Sequence, residues 1–146
     1  MLLRVLPLLL VAALSGCQTA PKAPPGPMHL EITLEQIDIA CVRASMLDTF
    51  VKGGLSIRQA SDVLFVADRR TEEIGPRLYY GRNLSDRVTA TLTPIPRVEG
   101  ARLTVQHAYA ANAGTGREEV HPQPVSPEDQ ASWAAARGRL ERKCGL

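Results

Sequence analysis

Arg87-Val88-Thr89-Ala90-Thr91-Leu92-Thr93 alternates without a break, with Val88, Ala90 and Leu92 on one side and Arg87 and three threonines on the other. Successive side chains point to opposite faces of a strand, so this stretch predicts an antiparallel sheet with one face buried and one wet. Pro94 and Pro96 close the strand and Glu99-Gly100 turns the chain into Arg102-Leu103-Thr104-Val105-Gln106-His107-Ala108-Tyr109. There Leu103, Val105, His107 and Tyr109 share a face. Gly114-Thr115-Gly116 then permits a tight turn into a weak segment ending at His121-Pro122, a candidate edge strand.

Upstream, Leu55-Ser56-Ile57 reads as a short strand, separated by polar Arg58-Gln59 from Val63-Leu64-Phe65-Val66-Ala67, an apolar run fit for a central strand. Arg69-Arg70-Thr71-Glu72-Glu73 reads as a charged loop, Gly75-Pro76 as a breaker, and Leu78-Tyr79-Tyr80 as a brief edge strand.

Helices flank these strands. Thr33-Leu34-Glu35-Gln36 fits a capping box and predicts a helix from about Thr33 to Lys52, with Ile37, Cys41, Ala44, Leu47 and Val51 along its apolar stripe and Gly53-Gly54 as its end. A second helix is expected from Pro127 to about Lys143. Ser126 caps it, Pro127 suits the first position, Glu128 and Asp129 complement the positive end of its dipole, and Trp133, Ala136, Leu140 and Cys144 form its stripe. The expected fold is α+β: an antiparallel four- or five-stranded sheet with the N- and C-terminal helices packed on one face. The pattern resembles helix-grip-like domains of some envelope lipoproteins, a likeness of fold that implies no function.

The first sixteen residues read differently. Arg4 gives a positive start and Val5 to Leu14, interrupted only by Pro7, form an apolar run of signal-peptide length, well short of the roughly 20 residues that cross a bilayer. The run ends in Leu14-Ser15-Gly16-Cys17, which resembles the lipobox of bacterial lipoproteins. That resemblance implies cleavage before Cys17 and acylation of Cys17, and Gln18 after it implies an outer-membrane anchor with the domain facing the periplasm. Two or three acyl chains give stable anchoring where one does not. Residues 17–30 carry the lipidated cysteine and a proline-rich tether, and residues 31–146 are expected to form one domain.

With Cys17 assigned to lipid, Cys41 and Cys144 remain, in a compartment where disulfides persist. Each falls on the apolar stripe of a helix, so a bridge between the two helices is expected; free buried thiols or an intermolecular bridge are the alternatives. A closed loop of about 100 residues would contribute ~4–5 kcal/mol in the chain-entropy model.

Chemistry is sparse. Ser85 or Ser61 with His107 and Asp86 or Asp62 could be assembled into a hydrolytic triple, but no nucleophile elbow surrounds either serine. His107 reads as a partly buried histidine bonded to a carbonyl or carboxylate. His29 lies in the tether and His121 in a proline-rich loop, so no metal-ligand spacing exists; no phosphate-cradling glycine motif occurs and no cofactor is expected. Seventeen Lys and Arg against fifteen Asp and Glu leave no strong field, and an aromatic share of 4% provides no base-stacking platform, which argues against nucleic acid.

The expected function is therefore that of a non-enzymatic envelope lipoprotein, bound to the membrane by its anchor and to an envelope protein by its domain. Candidate contacts are Thr89, Thr91 and Thr93 on the wet face, or Tyr79, Tyr80 and Arg82 in a recognition loop. The alternative is an amphiphile-binding module with a cavity between helices and sheet. A hydrolase would require His107 in a cleft beside a serine or carboxylate.

Overall fold

A computed structural model describes residues 26–81 and 83–146. The lipobox, Cys17 and Arg82 lie outside the described residues. In chain order the elements are β1 (Leu30–Glu35), α1 (Ile39–Lys52), β2 (Ser56–Ala60), β3 (Leu64–Arg70), α2 (Ile74–Tyr80), β4 (Leu84–Pro94), β5 (Gly100–Ala111), β6 (Glu119–Pro122) and α3 (Pro127–Cys144). The six strands form one antiparallel sheet in the order β1-β5-β4-β3-β2, with β6 also paired to β5. The fold is α+β, with more strands than the four or five expected.

The alternating stretch at 87–93 lies in β4, and its register explains the rest. Leu92 faces Leu103, Ala90 faces Val105 and Val88 faces His107 across the β4–β5 ladder, while Phe65 and Ala67 of β3 face Ala90 and Val88. Cross-strand partners share a face. These residues, with Ile32 and Leu34 of β1, form an apolar face whose buried members join Val42, Met46 and Phe50 of α1 and Leu140 and Cys144 of α3 in one core. Arg87, Thr89, Thr91 and Thr93 alternate onto the opposite, threonine face.

The first helix begins later than expected, because Leu30–Glu35 is a strand. Ile32 and Leu34 are buried and Glu31, Thr33 and Glu35 exposed, a period of two that pairs β1 with β5 from Leu30↔Val105 to Glu35↔Gly100. Gly100 makes this possible, since a Cβ there would come within 2.5 Å of the Leu34 carbonyl oxygen. Thr33 thus caps nothing. Asp38 caps α1 instead, its carboxylate accepting from the amides of Ala40 and Cys41 at 2.8 and 3.2 Å. The stripe rotates accordingly: Val42, Ser45, Met46 and Phe50 are buried, whereas Ala44 and Val51 are exposed. Freed of Ile37, the helix turns its larger apolar side chains inward.

Three further expectations are corrected. Leu78-Tyr79-Tyr80 is helical in α2, because Pro76 sits in the first turn, where no intrahelical amide bond is lost. Arg69 and Arg70 belong to β3 rather than a loop, paired with Asp86 and Ser85. Arg58-Gln59 continues β2 through a bulge between Ile57 and Gln59 instead of interrupting it. The weak segment before Pro122 is β6, as expected, and α3 runs from Pro127 with Ser126 and Asp129 in a reciprocal capping box.

Cys41 and Cys144 are at bonding distance, with Sγ atoms 2.02 Å apart and Cα atoms 5.5 Å apart. The carboxyl end is strapped to the same spot: Asp38 N donates to Cys144 O at 2.8 Å and Leu146 N to Gln36 O at 2.9 Å. The start of α1 and the end of α3 are therefore held together.

Candidate functional site

Because the helices are joined where α1 begins and α3 ends, their other ends are free to diverge. Between them lies an open cleft of about 870 Å³, lined by Thr49, Phe50 and Leu55 at the end of α1, by Asp129, Trp133 and Ala136 of α3, and by Val88, His107 and Tyr109 of the sheet. Its floor continues the apolar face of the core. Beyond the pairs Leu92↔Leu103 and Ala90↔Val105, the same two strands present Val88↔His107 and then Asp86↔Tyr109, a polar stretch before the ladder ends on the buried pair Leu84↔Ala111.

Several polar groups in the cleft face one another. His107 Nδ1 is 3.6 Å from Asp129 Oδ1, an ion-pair separation for a protonated ring and longer than a hydrogen bond. Asp129 is partly buried, which raises its carboxyl, but bonds from the Ser126 hydroxyl and amide and the field of His107 outweigh this and lower it. Tyr109 donates to Glu73 Oε2 at 3.2 Å; burial and then the Glu73 charge push its hydroxyl up and keep it a donor. Arg69 reaches Asp86 at 3.5 Å. The cleft thus combines an apolar middle of Phe50, Leu55, Val88 and Trp133 with charged and hydroxyl groups around it.

The histidine is consequently in a cleft beside a carboxylate, the condition set for a hydrolase. Neither Ser85 nor Ser61 is with it. Ser126 donates to Asp129 Oδ2 at 2.7 Å and accepts from the Asp129 amide, so it is occupied as a helix cap on the far side of the carboxylate from the ring. Ser85 pairs with Ala110 and Arg70 in register with the threonine face, away from His107. Ser61 holds the β2–β3 turn by accepting from the Leu64 amide, and Asp62 pairs with Arg43 at 2.9 Å. Asp86 shares the cleft but is engaged by Arg69. Among the described residues no three His, Cys, Asp or Glu side chains are grouped to hold a metal, and no helix is long and apolar enough to cross a membrane.

The expected contact residues separate. Thr89 and Thr91 line a shallow dip of about 180 Å³ on the threonine face with His29, Thr104 and Gln106, and Thr93 is exposed beyond it. Tyr79 and Tyr80 differ in exposure: Tyr79 is exposed and meets the Tyr80 ring edge-on with centroids 4.7 Å apart, whereas Tyr80 also stacks on His121 at 4.4 Å and tilts against Tyr109 at 5.8 Å.

One cluster escaped the sequence reading. On the threonine face Asp68, 2% exposed in its side chain, receives Arg87 through Nε at 2.7 Å and a second nitrogen at 2.9 Å, and Arg58 at 3.2 Å. Arg87 also binds Glu118, which accepts from the Gly114 amide at 2.7 Å. Hydrogen bonds to Asp68 and then Glu118 raise the Arg87 guanidinium further, while Arg87 and then Gly114 hold the Glu118 carboxyl at about 2. Two acids and two arginines so arranged clamp the β5–β6 turn to β3 and β4. An aspartate on the outward side of a strand is the only local signal, and its partner emerges from register alone.

Compared with protein-family models, curated proteins and solved structures, the chain matches none of them.

Proposed function

We propose that this protein is a non-enzymatic envelope lipoprotein, anchored through acylated Cys17, whose domain binds an elongated amphiphile in the cleft between α1, α3 and the sheet. The carrying observation is the cleft itself: its volume of about 870 Å³ lies within the roughly 300–1,000 Å³ of small-molecule sites. Phe50, Leu55, Val88 and Trp133 suit an acyl or similar chain, and His107, Asp129, Arg69 and Tyr109 suit its polar end.

Recognition of an envelope protein through a strand edge has less support. The β2 edge carries a bulge, the β1 edge carries Glu31 and Glu35, and both devices discourage strand addition.

Trp133 is the single tryptophan of the chain and lines the cleft, so it reports on occupancy. Titrating the full chain with a long-chain fatty acid, and separately with a lysophospholipid, is expected to shift Trp133 emission to the blue with saturation. Ala136→Phe, which fills the cleft from α3, is expected to abolish the shift. Emission unmoved by either ligand, or a shift indifferent to Ala136→Phe, would refute the assignment.

A further inference from the structure

The helix α2 is held on one side and bare on the other. None of its residues is buried, and Ile74, Leu78 and Tyr79 are 72%, 81% and 82% exposed. Ile74 and Leu78 are one turn apart and form one apolar strip, with Tyr79 exposed on the flank beside Leu78. Inward, α2 is held by Tyr80 stacked on His121 and by Glu73, at its amino-terminal cap, which accepts from Tyr109. Arg77 lies in its last turn, and Arg70 ends β3 four residues before Ile74, with Glu72 and Glu73 between them.

The root of the tether lies near this surface. Val125 N donates to Pro27 O at 2.7 Å, and Gln123 N to His107 O at 2.9 Å, so the incoming chain joins the sheet beside the segment that follows β6. Val125 is four residues beyond His121, on which Tyr80 stacks, a separation of at most about 13 Å along extended chain. From Cys17 to Gly26 the chain advances nine residues, which span at most about 30 Å. A domain held on so short a lead stays within that distance of the bilayer, and α2 is packed on His121, a few residues along the chain from the root of the lead.

We infer that the outer face of α2, formed by Ile74, Leu78 and Tyr79, rests on the bilayer that holds the acyl chains of Cys17. This rests on the lipid-anchor reading. Aliphatic and tyrosine side chains with an arginine among them, as Arg77 is here, suit a membrane–water interface, where the aliphatic groups enter the acyl boundary and tyrosine and arginine stay at headgroup level. Contact there would also bring the cleft, whose lining includes Glu73 from the α2 cap, next to the pool of amphiphiles proposed to fill it.

The test uses the full acylated chain reconstituted into phosphatidylethanolamine–phosphatidylglycerol vesicles. A single cysteine is introduced by Leu78→Cys or Tyr79→Cys and labelled with an environment-sensitive fluorophore. Val98→Cys, half exposed in the turn between β4 and β5 at the opposite end of the sheet, serves as the control. The α2 labels are expected to shift to the blue and to be quenched by nitroxide-labelled acyl chains several-fold more than the Val98 label. Equal, weak quenching at all three positions overturns the proposal. So does protection of the α2 labels without lipid quenching, which would assign the face to another copy or another protein. The mass of the purified chain reads acylation of Cys17 independently, so failure of the anchor is distinguished from failure of α2 to touch lipid.

Discussion

The two ends of the β4–β5 ladder are built by the same strands and differ in almost every other respect. At the end holding Leu92 and Leu103, both side chains are fully buried, α1 and α3 are cross-linked, and the last residues of the chain close over Gln36 and Asp38. Toward the other end, at Val88, His107, Asp86 and Tyr109, the helices part and a cleft opens over the sheet, and only the last pair, Leu84 and Ala111, is buried again. The threonine face reverses the polarity of this gradient. There the charges of Asp68 and Arg87 are buried beneath the polar end, and the dry end shows open threonines. Stability is thus concentrated where the covalent link and aliphatic packing coincide, which leaves the opposite end free to hold a ligand.

The largest effect expected from this contrast is loss of the cross-link. Cys41 and Cys144 are separated by 103 positions, and opening a loop of that size costs about 4–5 kcal/mol in the chain-entropy model. Cys41→Ala/Cys144→Ala, compared with the parent in urea denaturation, should show that loss, while hydrogen exchange in α2 should change little. Equal loosening of both ends would mean that the ends are not separate regions. Next, Leu103→Ala should destabilise by about 3 kcal/mol, as expected for a buried leucine with little room to collapse, and Val88→Ala by about 1 kcal/mol or less because the cleft already exposes it. Matching midpoints for the two variants would contradict a packed end and an open end.

How much of this was legible follows the range of the interactions. The alternation at 87–93 needs only neighbours two residues apart, and it read correctly. The Cys41–Cys144 pairing was reachable because each cysteine lies on a helical stripe, even though the α1 stripe was drawn with the wrong companions. Leu30–Glu35 was misread because Thr33-Leu34-Glu35-Gln36 satisfies a four-residue capping motif as well as a period of two. Only pairing with β5 decides between them. Tyr79 and Tyr80 were singled out, but the helix that sends one outward and one onto His121 was not. A cavity between helices and sheet was legible only as an alternative, and most of its lining was not, because it exists where packing stops. Asp68, Arg87 and Glu118 were equally hidden, being 19 and 31 positions apart and joined only by strand register and a turn.

That buried cluster provides the next test. Asp68→Asn preserves shape but leaves Arg87, 11% exposed, with Glu118 as its one acidic partner, and removal of one member of a buried pair costs roughly 3–5 kcal/mol when nothing else compensates. Because Glu118 does compensate, about 2–3 kcal/mol is expected in denaturant titration. The fatty-acid response of Trp133 should persist, since Asp68 lies on the opposite face of the sheet. Loss of that response in a folded Asp68→Asn protein would show that the two faces are coupled.

The smallest effect is a dependence on acid. Arg87 and the Gly114 amide hold the Glu118 carboxyl at about 2 against an ordinary value near 4.5, so its charged form is favoured by folding. A carboxyl depressed in the folded state contributes stability that is present above its unfolded value and is lost as pH falls through the folded value. The parent should therefore lose about 1 kcal/mol between roughly pH 4.5 and 2 through this group, partial exposure screening the remainder. Glu118→Gln should remove that component of the slope and little else. If the variant and the parent lose stability in parallel across the window, the clamp on the β5–β6 turn does not depend on the Glu118 charge, and the polar end is held by Asp68 and Arg87 alone.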